Sequence, residues 1–350
     1  MRGAVLYLRS GAPRLDEYPP VSVLRPMAGA EDNTEANLRS VFEQRYPTGF
    51  EVLMGVHEES DPAAAVARRV MAEFPNVPAQ LIVTGVSPLP NAKVWSLRAL
   101  LPEARHEHLL MTDSDIRLEP DCLETTMAEL AGPNVGLVTC PYRAVGGPNF
   151  WPRLEALGLN TDFLAGMLTQ RLLNGMDFAI GCAIATRRTD LAGIGGLEHL
   201  QRYLAEDFMM GSLMRKAGRE VILSRSVIEH HIGNDGFLAN WKHRLRWARS
   251  TRRSRPWGYL GEVFTKPVAL ALLVTATEPK LWPVLILAMA MRTALAKLTA
   301  VRILKAEVPW WLLPIEDLAT FLTWLLGFFG KRILWRGRWM IIARDGTFEN

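Results

Sequence analysis

Apolar positions come in short, dense bursts over the first 140 residues. "VSVLRP" (21–26), "FEVLMGV" (50–56), "AQLIVTG" (79–85) and "HLLMT" (108–112) are each bounded by polar or turn-forming residues. Bursts of that length, bounded that way, read as buried strands. Between them the apolar positions spread out to helical spacing. Residues 33–45, "NTEANLRSVFEQR", form a helix with an Asn/Thr start; a second opens at Asp61-Pro62, and a third lies near "NAKVWSLRALL" (91–101). Alternating strands and helices of this size predict a mostly parallel sheet flanked by helices, with right-handed crossovers. Ligands of such sheets sit beyond the carboxyl ends of the strands. From 151 the pattern loosens: "FAIGCAIATRR" (178–188) reads as a strand, "YLAEDFMMGSLMRKAG" (203–218) as a helix ended by Gly218, and "REVILS" as a strand before a basic helix over 237–255.

Hydrophobicity is concentrated late. "KPVALALLVTATEPKLWPVLILAMAM" (266–291) and "VPWWLLPIEDLATFLTWLLGFFG" (308–330) are rich in Leu, Val, Trp and Phe, but are interrupted by Glu278-Pro279-Lys280 and by Pro314 with Glu316-Asp317. A clean span needs roughly 20 apolar residues. The choice lies between a buried helical subdomain and membrane-embedded or re-entrant helices. Trp282, Trp310, Trp311, Trp324 and Trp335 fall near segment ends, as interfacial aromatics do, and favour the second. No secretory signal core opens the chain.

The chain has 350 residues and a net charge of only +4, yet its basic residues are clustered. Residues 242–255 carry seven Lys or Arg, residues 331–344 five, and neither stretch has an acid. Such runs suit phosphates or acidic headgroups. No nucleic-acid module accompanies them, so nucleic acid is not an expected partner. No G-x-G-x-x-G follows the first strand, which argues against a dinucleotide oxidoreductase. Three widely spaced cysteines read as reduced thiols.

Two acids stand directly after the buried burst at 108–112: Asp113-Ser114-Asp115. A carboxylate at the edge of a core is unfavourable unless paired, solvated or coordinating. Side chains two apart on an extended chain share a side, so the pair can hold one Mg²⁺ or Mn²⁺, with diphosphate oxygens and water completing the shell. A solvated loop is the plain alternative. Asp61 before Pro62 has the form of a helix N-cap, which does not prevent it from facing a ligand. In "AEDF" (205–208), Glu206 or Asp207 could simply complement a helix dipole; the functional reading makes Asp207 a general base. On helical periodicity Trp241, Leu245 and Ala248 share a face of the basic helix, with Arg246, Arg249 and Arg253 on another. That second face is either solvated or a set of phosphate clamps.

The order of these signals resembles the inverting, membrane-bound family 2-type glycosyltransferases of GT-A fold. It is most similar to the ceramide glucosyltransferases and the hopanoid biosynthesis-associated glycosyltransferases. The matching stretches, spread over roughly 19–348, include "PPVSVLRPMAGAEDNTEANLRS", "SDPA", "PNAKVWSL", "DSDIRLEPD", "VGLVTCPYR", "IGCAIATRRTDLAGIGGL", "YLAEDFMMG", "HRLRW" and "WRGRW". The resemblance implies a Rossmann-like catalytic domain over 19–255, a membrane-embedded or re-entrant region over 256–330 and a basic cytosolic tail over 331–350. It implies Asp61 and Lys93 at the nucleotide, Asp113 and Asp115 at metal and diphosphate, Asp207 as base, and Arg246-Trp247 near diphosphate and acceptor. His243 stands where the family has Gln or Arg. The family commonly begins with a transmembrane helix, so either the start is truncated or the C-terminal helices alone are the anchor.

The expected activity is transfer of glucose or N-acetylglucosamine from a UDP-sugar to a lipid hydroxyl, on ceramide or a hopanoid polyol. It would occur at the cytoplasmic membrane with the catalytic domain facing the cytosol. A processive polysaccharide synthase and a non-catalytic membrane scaffold are the alternatives.

Overall fold

A computed structural model describes residues 1–335, 338–343 and 345–349. The chain groups into two compact units, residues 11–142 with 175–231, and residues 1–10 with 143–174 and 232–350. In chain order the strands up to residue 232 are β1 (Val21–Pro26), β2 (Phe50–Val56), β3 (Ala79–Val83), β4 (His108–Thr112), β5 (Ile116–Arg117), β6 (Val135–Thr139), β7 (Tyr142–Gly146), β8 (Ala183–Arg187), β9 (Glu220–Leu223) and β10 (Ile228–Ile232).

The first unit is built on a seven-stranded sheet of order β3-β2-β1-β4-β8-β6-β9. β2 and β6 are buried throughout, and β1 and β4 at all but one position. Strands covered on both faces need near-continuous apolar sequence rather than alternation, which is why these bursts were visible. Edge strand β3 is only half-buried. A polar exception is Ser22, whose hydroxyl donates to the buried Glu51 carboxylate at 2.7 Å. The helices Thr34–Phe42, Pro62–Glu73 and Ala92–Leu100 fall between the first four strands as the spacing predicts.

The sheet is parallel except at β8, which runs antiparallel to both β4 and β6 with Thr112 opposite Ala183 and Thr139 opposite Ile184. This corrects the strand expected over 178–188: only Ala183–Arg187 is strand. Residues leading into β8 therefore arrive at the edge where β4 ends. The helix expected over 203–218 is Glu206–Lys216, which puts both acids in its first turn. The loosened pattern beyond 151 hides two helices, Phe150–Gly158 and Leu164–Asn174.

The second unit is mainly helical. A short helix, Arg2–Arg9, occupies a stretch for which the sequence suggested no element. The basic helix is Phe237–Ser254, and the apolar helices are Pro267–Thr277, Trp282–Ala296 and Leu313–Gly327. Leu154, Leu157, Ala296, Leu312 and Leu313 form a buried cluster among them. The continuous run Pro279–Ile303 is long and apolar enough to cross a bilayer; Pro256–Thr265 and Pro267–Thr277 would together suffice but meet at a 67° bend. Ile286 and Leu287, in the middle of the run, are 58% and 59% exposed, so this unit's own packing does not cover them.

Glu316 and Asp317 do not break the last apolar segment. They are fully buried inside the Leu313–Gly327 helix, where Pro314 lies in the opening turn. Glu316 takes a two-pronged bond from Arg244, at 2.9 and 3.1 Å. Asp317 and Asp162 lie 3.0 and 2.8 Å from Arg292, which has no exposed surface. Trp324, in the last turn of the Leu313–Gly327 helix, donates its indole N–H to Tyr259 O at 2.8 Å. The tail forms a small antiparallel sheet, β11 (Arg332–Trp335), β12 (Arg338–Ile342) and β13 (Phe348–Glu349). Arg336, Gly337 and Arg344 of the expected basic tail lie outside the described residues.

Candidate active site

β1, β2, β3 and β4 all run the same way, so their carboxyl ends share one edge of the sheet. Arg25 stands near the end of β1, Asp61 beyond β2, Asn91 and Lys93 beyond β3, and Asp113 to Asp115 beyond β4. This is the edge at which ligands of such sheets bind.

Asp61 has the cap role its sequence suggested. Its Oδ1 accepts Ala63 N–H at 2.8 Å, and it also accepts Gly29 N–H at 2.9 Å. The same oxygen thus opens a helix after β2 and holds the loop after β1. Asn91 opens the next helix by accepting Val94 N–H at 3.2 Å, while its amide donates to Glu206 Oε2 at 3.0 Å.

Lys93 is the hub. Its ammonium lies 2.7 Å from Asp113 Oδ1 and 3.3 Å from Glu206 Oε1, and donates to Gly181 O at 2.9 Å. Gly181 in turn donates its N–H to Asp207 Oδ2 at 2.6 Å, and Phe208 N–H donates to Asp207 Oδ1 at 2.7 Å. Asp113 N–H donates to Cys182 O at 3.1 Å. The antiparallel entry to β8 therefore stitches the acids after β4 to the acids of the Glu206–Lys216 helix. A Cβ on Gly181 would sit 2.9 Å from Asp207 Oδ2 and 3.1 Å from Lys93 Nζ, so a side chain here would displace the carboxylate and ammonium tips from their present positions. An isolated glycine in an apolar run signals a close backbone approach, and "AIGCAI" carries that signal.

The electrostatics follow from burial and charge order. Burial depresses the Lys93 ammonium, but Asp113 and then Glu206 outweigh it and hold its pKa above the ordinary lysine value. Burial raises Asp113, and Asp115 adds to the rise against the pull of Lys93. Asp207 is raised to about 6, first by burial and then by Glu206, with Lys93 and the two N–H donors working the other way. Asp115 goes down: burial opposes its charge, but His230, 3.2 Å away, and Arg25 prevail.

Asp115 Oδ1 is buried without a hydrogen-bond partner. An orphaned carboxylate oxygen beside a second carboxylate fits a hard divalent cation. Among the described residues no group of three or more His, Cys, Asp or Glu could hold a metal. A cation here would thus take the remainder of its shell from oxygens outside the protein, as Mg²⁺ commonly does. Sequence reasoning did not single out Arg25, Asn91, Gly181 or His230.

Arg246 and Trp247 belong to the second unit, on the Phe237–Ser254 helix. Burial lowers the Arg246 pKa to about 10 against the pull of Glu155. Trp247 packs edge-on against Phe163 and His243, with ring centroids 5.9 and 5.7 Å apart. His243 Nδ1 lies 2.7 Å from Glu155 Oε1. Arg249, expected on a solvated or phosphate-facing side, instead donates to Phe329 O at 3.2 Å and Arg332 O at 2.6 Å. Arg252 donates to Gly330 O at 2.9 Å and to Phe328 O. These two arginines satisfy carbonyls just past the end of the Leu313–Gly327 helix.

The sequence profile of glycosyl transferase family 21 matches residues 4–348. Ceramide glucosyltransferase 1 of Caenorhabditis elegans is 28% identical over 208 residues, 59% of this chain and 44% of that protein. The ceramide glucosyltransferase of Komagataella phaffii is 33% identical over 101 residues, 27% of this chain and 19% of that one. The matches thus cover less than half the length of these relatives. Among solved structures, the mannosyltransferase PcManGT of Pyrobaculum calidifontis in complex with GDP-Man and Mn²⁺ superposes with a TM-score of 0.58, covering 93% of this chain and 92% of that one at 18% identity. At that identity the likeness speaks for the fold, which is of GT-A type.

Proposed function

The chain belongs to glycosyl transferase family 21, and on that premise we propose that it transfers a hexose from a UDP-sugar to a lipid hydroxyl at a membrane, with inversion at the anomeric carbon. The observation that carries the proposal is the Lys93 bridge, which joins Asp113 to Glu206 and, through Gly181, to Asp207. One rim then offers a cation site and a base. The names of the relatives speak for glucose and ceramide; N-acetylglucosamine and a hopanoid polyol are the second choices.

Asp207 takes the proton of the acceptor hydroxyl as that oxygen bonds to the anomeric carbon and the bond to the diphosphate breaks on the opposite face. Each of its oxygens already accepts one backbone N–H. That fixes the carboxylate plane and leaves each oxygen a further lone pair for a proton. A pKa of about 6 keeps the group ionised at neutral pH yet basic enough to take the proton. Asp113 and Asp115 would hold Mg²⁺ or Mn²⁺, which when bound neutralises charge building on the departing diphosphate. Asp61 takes the nucleotide, and Arg246 with Trp247 has, by its motif, the diphosphate and acceptor roles.

The reading is tested by incubating detergent-solubilised protein with several UDP-sugars and a total lipid extract, then identifying glycosylated lipid by mass spectrometry. Asp207→Asn is expected to bind UDP normally and to lose about 10²- to 10⁴-fold in turnover. Wild-type turnover in that variant would remove Asp207 from the mechanism. Sugar label recovered in an ethanol-precipitable polymer rather than in lipid would favour a polysaccharide synthase.

A further inference from the structure

Arg25 sits on β1, beside β4, with no exposed surface at all. The pairing of Leu24 with Met111 sets Arg25 level with Thr112, the last residue before the two acids. Its Nη2 donates to Ser114 O at 3.0 Å and to Ile116 O at 2.9 Å, the carbonyls on either side of Asp115. Its Nε and Nη1 are buried with no hydrogen-bond partner. Burial drives its pKa down to about 10, opposed chiefly by Asp115 and Asp113.

A buried guanidinium left this incompletely bonded is an unfavourable use of a strand position. Val21, Val23 and Leu24 show what the strand itself accepts there, namely apolar side chains buried on both faces. The arginine is therefore explained by the loop it reaches, not by the sheet. We infer that Arg25 is a positioning residue: by clasping the carbonyls that flank Asp115, it holds the Asp113–Asp115 turn in the shape that receives a divalent cation and a diphosphate. The inference rests on the transferase reading above. A guanidinium can span two carbonyls with one nitrogen while its fork is fixed by packing; an ammonium keeps the charge but not that geometry.

Position and charge make opposite forecasts. If only the charge mattered, Arg25→Met would leave the acids more negative and bind cation more tightly, and Arg25→Lys would change nothing. If the clasp matters, both variants weaken cation binding despite the extra negative charge in Arg25→Met. The probe is Mn²⁺ titrated into the whole protein with UDP present, free Mn²⁺ being followed by its electron paramagnetic resonance signal, with thermal unfolding as the control for folding. Expected is a loss of about 10- to 100-fold in Mn²⁺ affinity in both variants, with a higher Mn²⁺ requirement for turnover and a smaller change in kcat at saturating Mn²⁺. Unchanged or tighter Mn²⁺ binding in either folded variant overturns the clasp, as does loss of the folded state in both, which would make Arg25 a residue of the core. Wild-type protein that binds no Mn²⁺ with UDP would instead overturn the transferase reading, and the clasp with it.

Discussion

The acid after Glu206 is poised by three neighbours of different sign. Burial and Glu206 raise the Asp207 pKa to about 6, while Lys93 and the N–H groups of Phe208 and Gly181 restrain the rise. A general base works only when deprotonated, so kcat/KM should fall as the pH drops through that value, not near the ordinary aspartate range. Removing the raising neighbour, in Glu206→Gln, should move the acid limb of the pH profile to lower pH. Removing the lowering one, in Lys93→Met, should move it to higher pH. Identical acid limbs in wild type and Glu206→Gln would show that another group titrates. At this scale the sequence displayed acids far better than their partners. Asp113, Asp115 and Asp207 stand out because carboxylates beside apolar runs are conspicuous. Arg25 and His230 are read as ordinary strand residues, since nothing local reveals that a chain fold will set them beside Asp115.

Helices and strands carry these groups to the rim, and one of them does so through a contact that leaves no spare room. A Cβ built on Gly211, in the Glu206–Lys216 helix, would lie 2.3 Å from Phe178 C and 2.4 Å from Ala179 N. Backbone cannot yield as a side-chain tip can, so Gly211→Ala must push the helix off the segment that leads to Gly181. Overpacking of this kind typically costs about 1–3 kcal/mol. The variant should unfold at lower temperature and lose turnover, because Asp207 would no longer accept the Gly181 N–H. UDP binding, assigned in the proposal to acids after β2 and β4, should stay close to normal. A Gly211→Ala protein with wild-type melting and turnover would mean that the approach is looser than these distances imply. Strands β1, β2 and β4 were legible because strands buried on both faces must be apolar throughout; edge strand β3 was legible from its short run of β-branched and aliphatic residues. The reversal at β8 was not, since strand direction in a mixed sheet leaves no periodic trace. The helices over 150–174 were missed although the second carries a single stripe, with Leu164, Ala165, Met167 and Leu168 buried at helical spacing; each is short, and they are joined without a break by Leu159–Phe163, so no turn signal marks where one ends and the next begins.

At the scale of a whole unit, the helical part of the chain pairs its buried charges within its own fold. Its sequence advertises apolar helices broken by acids, yet Asp317 and Asp162 both reach Arg292, a residue of the run Pro279–Ile303. What looked like an interruption is one half of an ion pair whose other half is distant in sequence. Such a cluster is weak evidence of stability in itself, because desolvation opposes the attraction, but removing one partner strands the others. Arg292→Met would leave two carboxylates buried without their cation, and should destabilise the protein in detergent by about 3–5 kcal/mol. Neutralising the acids as well, with Asp162→Asn and Asp317→Asn, should recover most of the loss. Asparagine at 317 can still accept the Ala269 N–H that Asp317 now accepts at 3.0 Å. Thermal unfolding of the three proteins in the same micelles decides the matter. A single variant as stable as wild type would mean that the carboxylates find water or protons instead of Arg292. A triple variant no better than the single one would mean that the cluster acts through its shape rather than its charge.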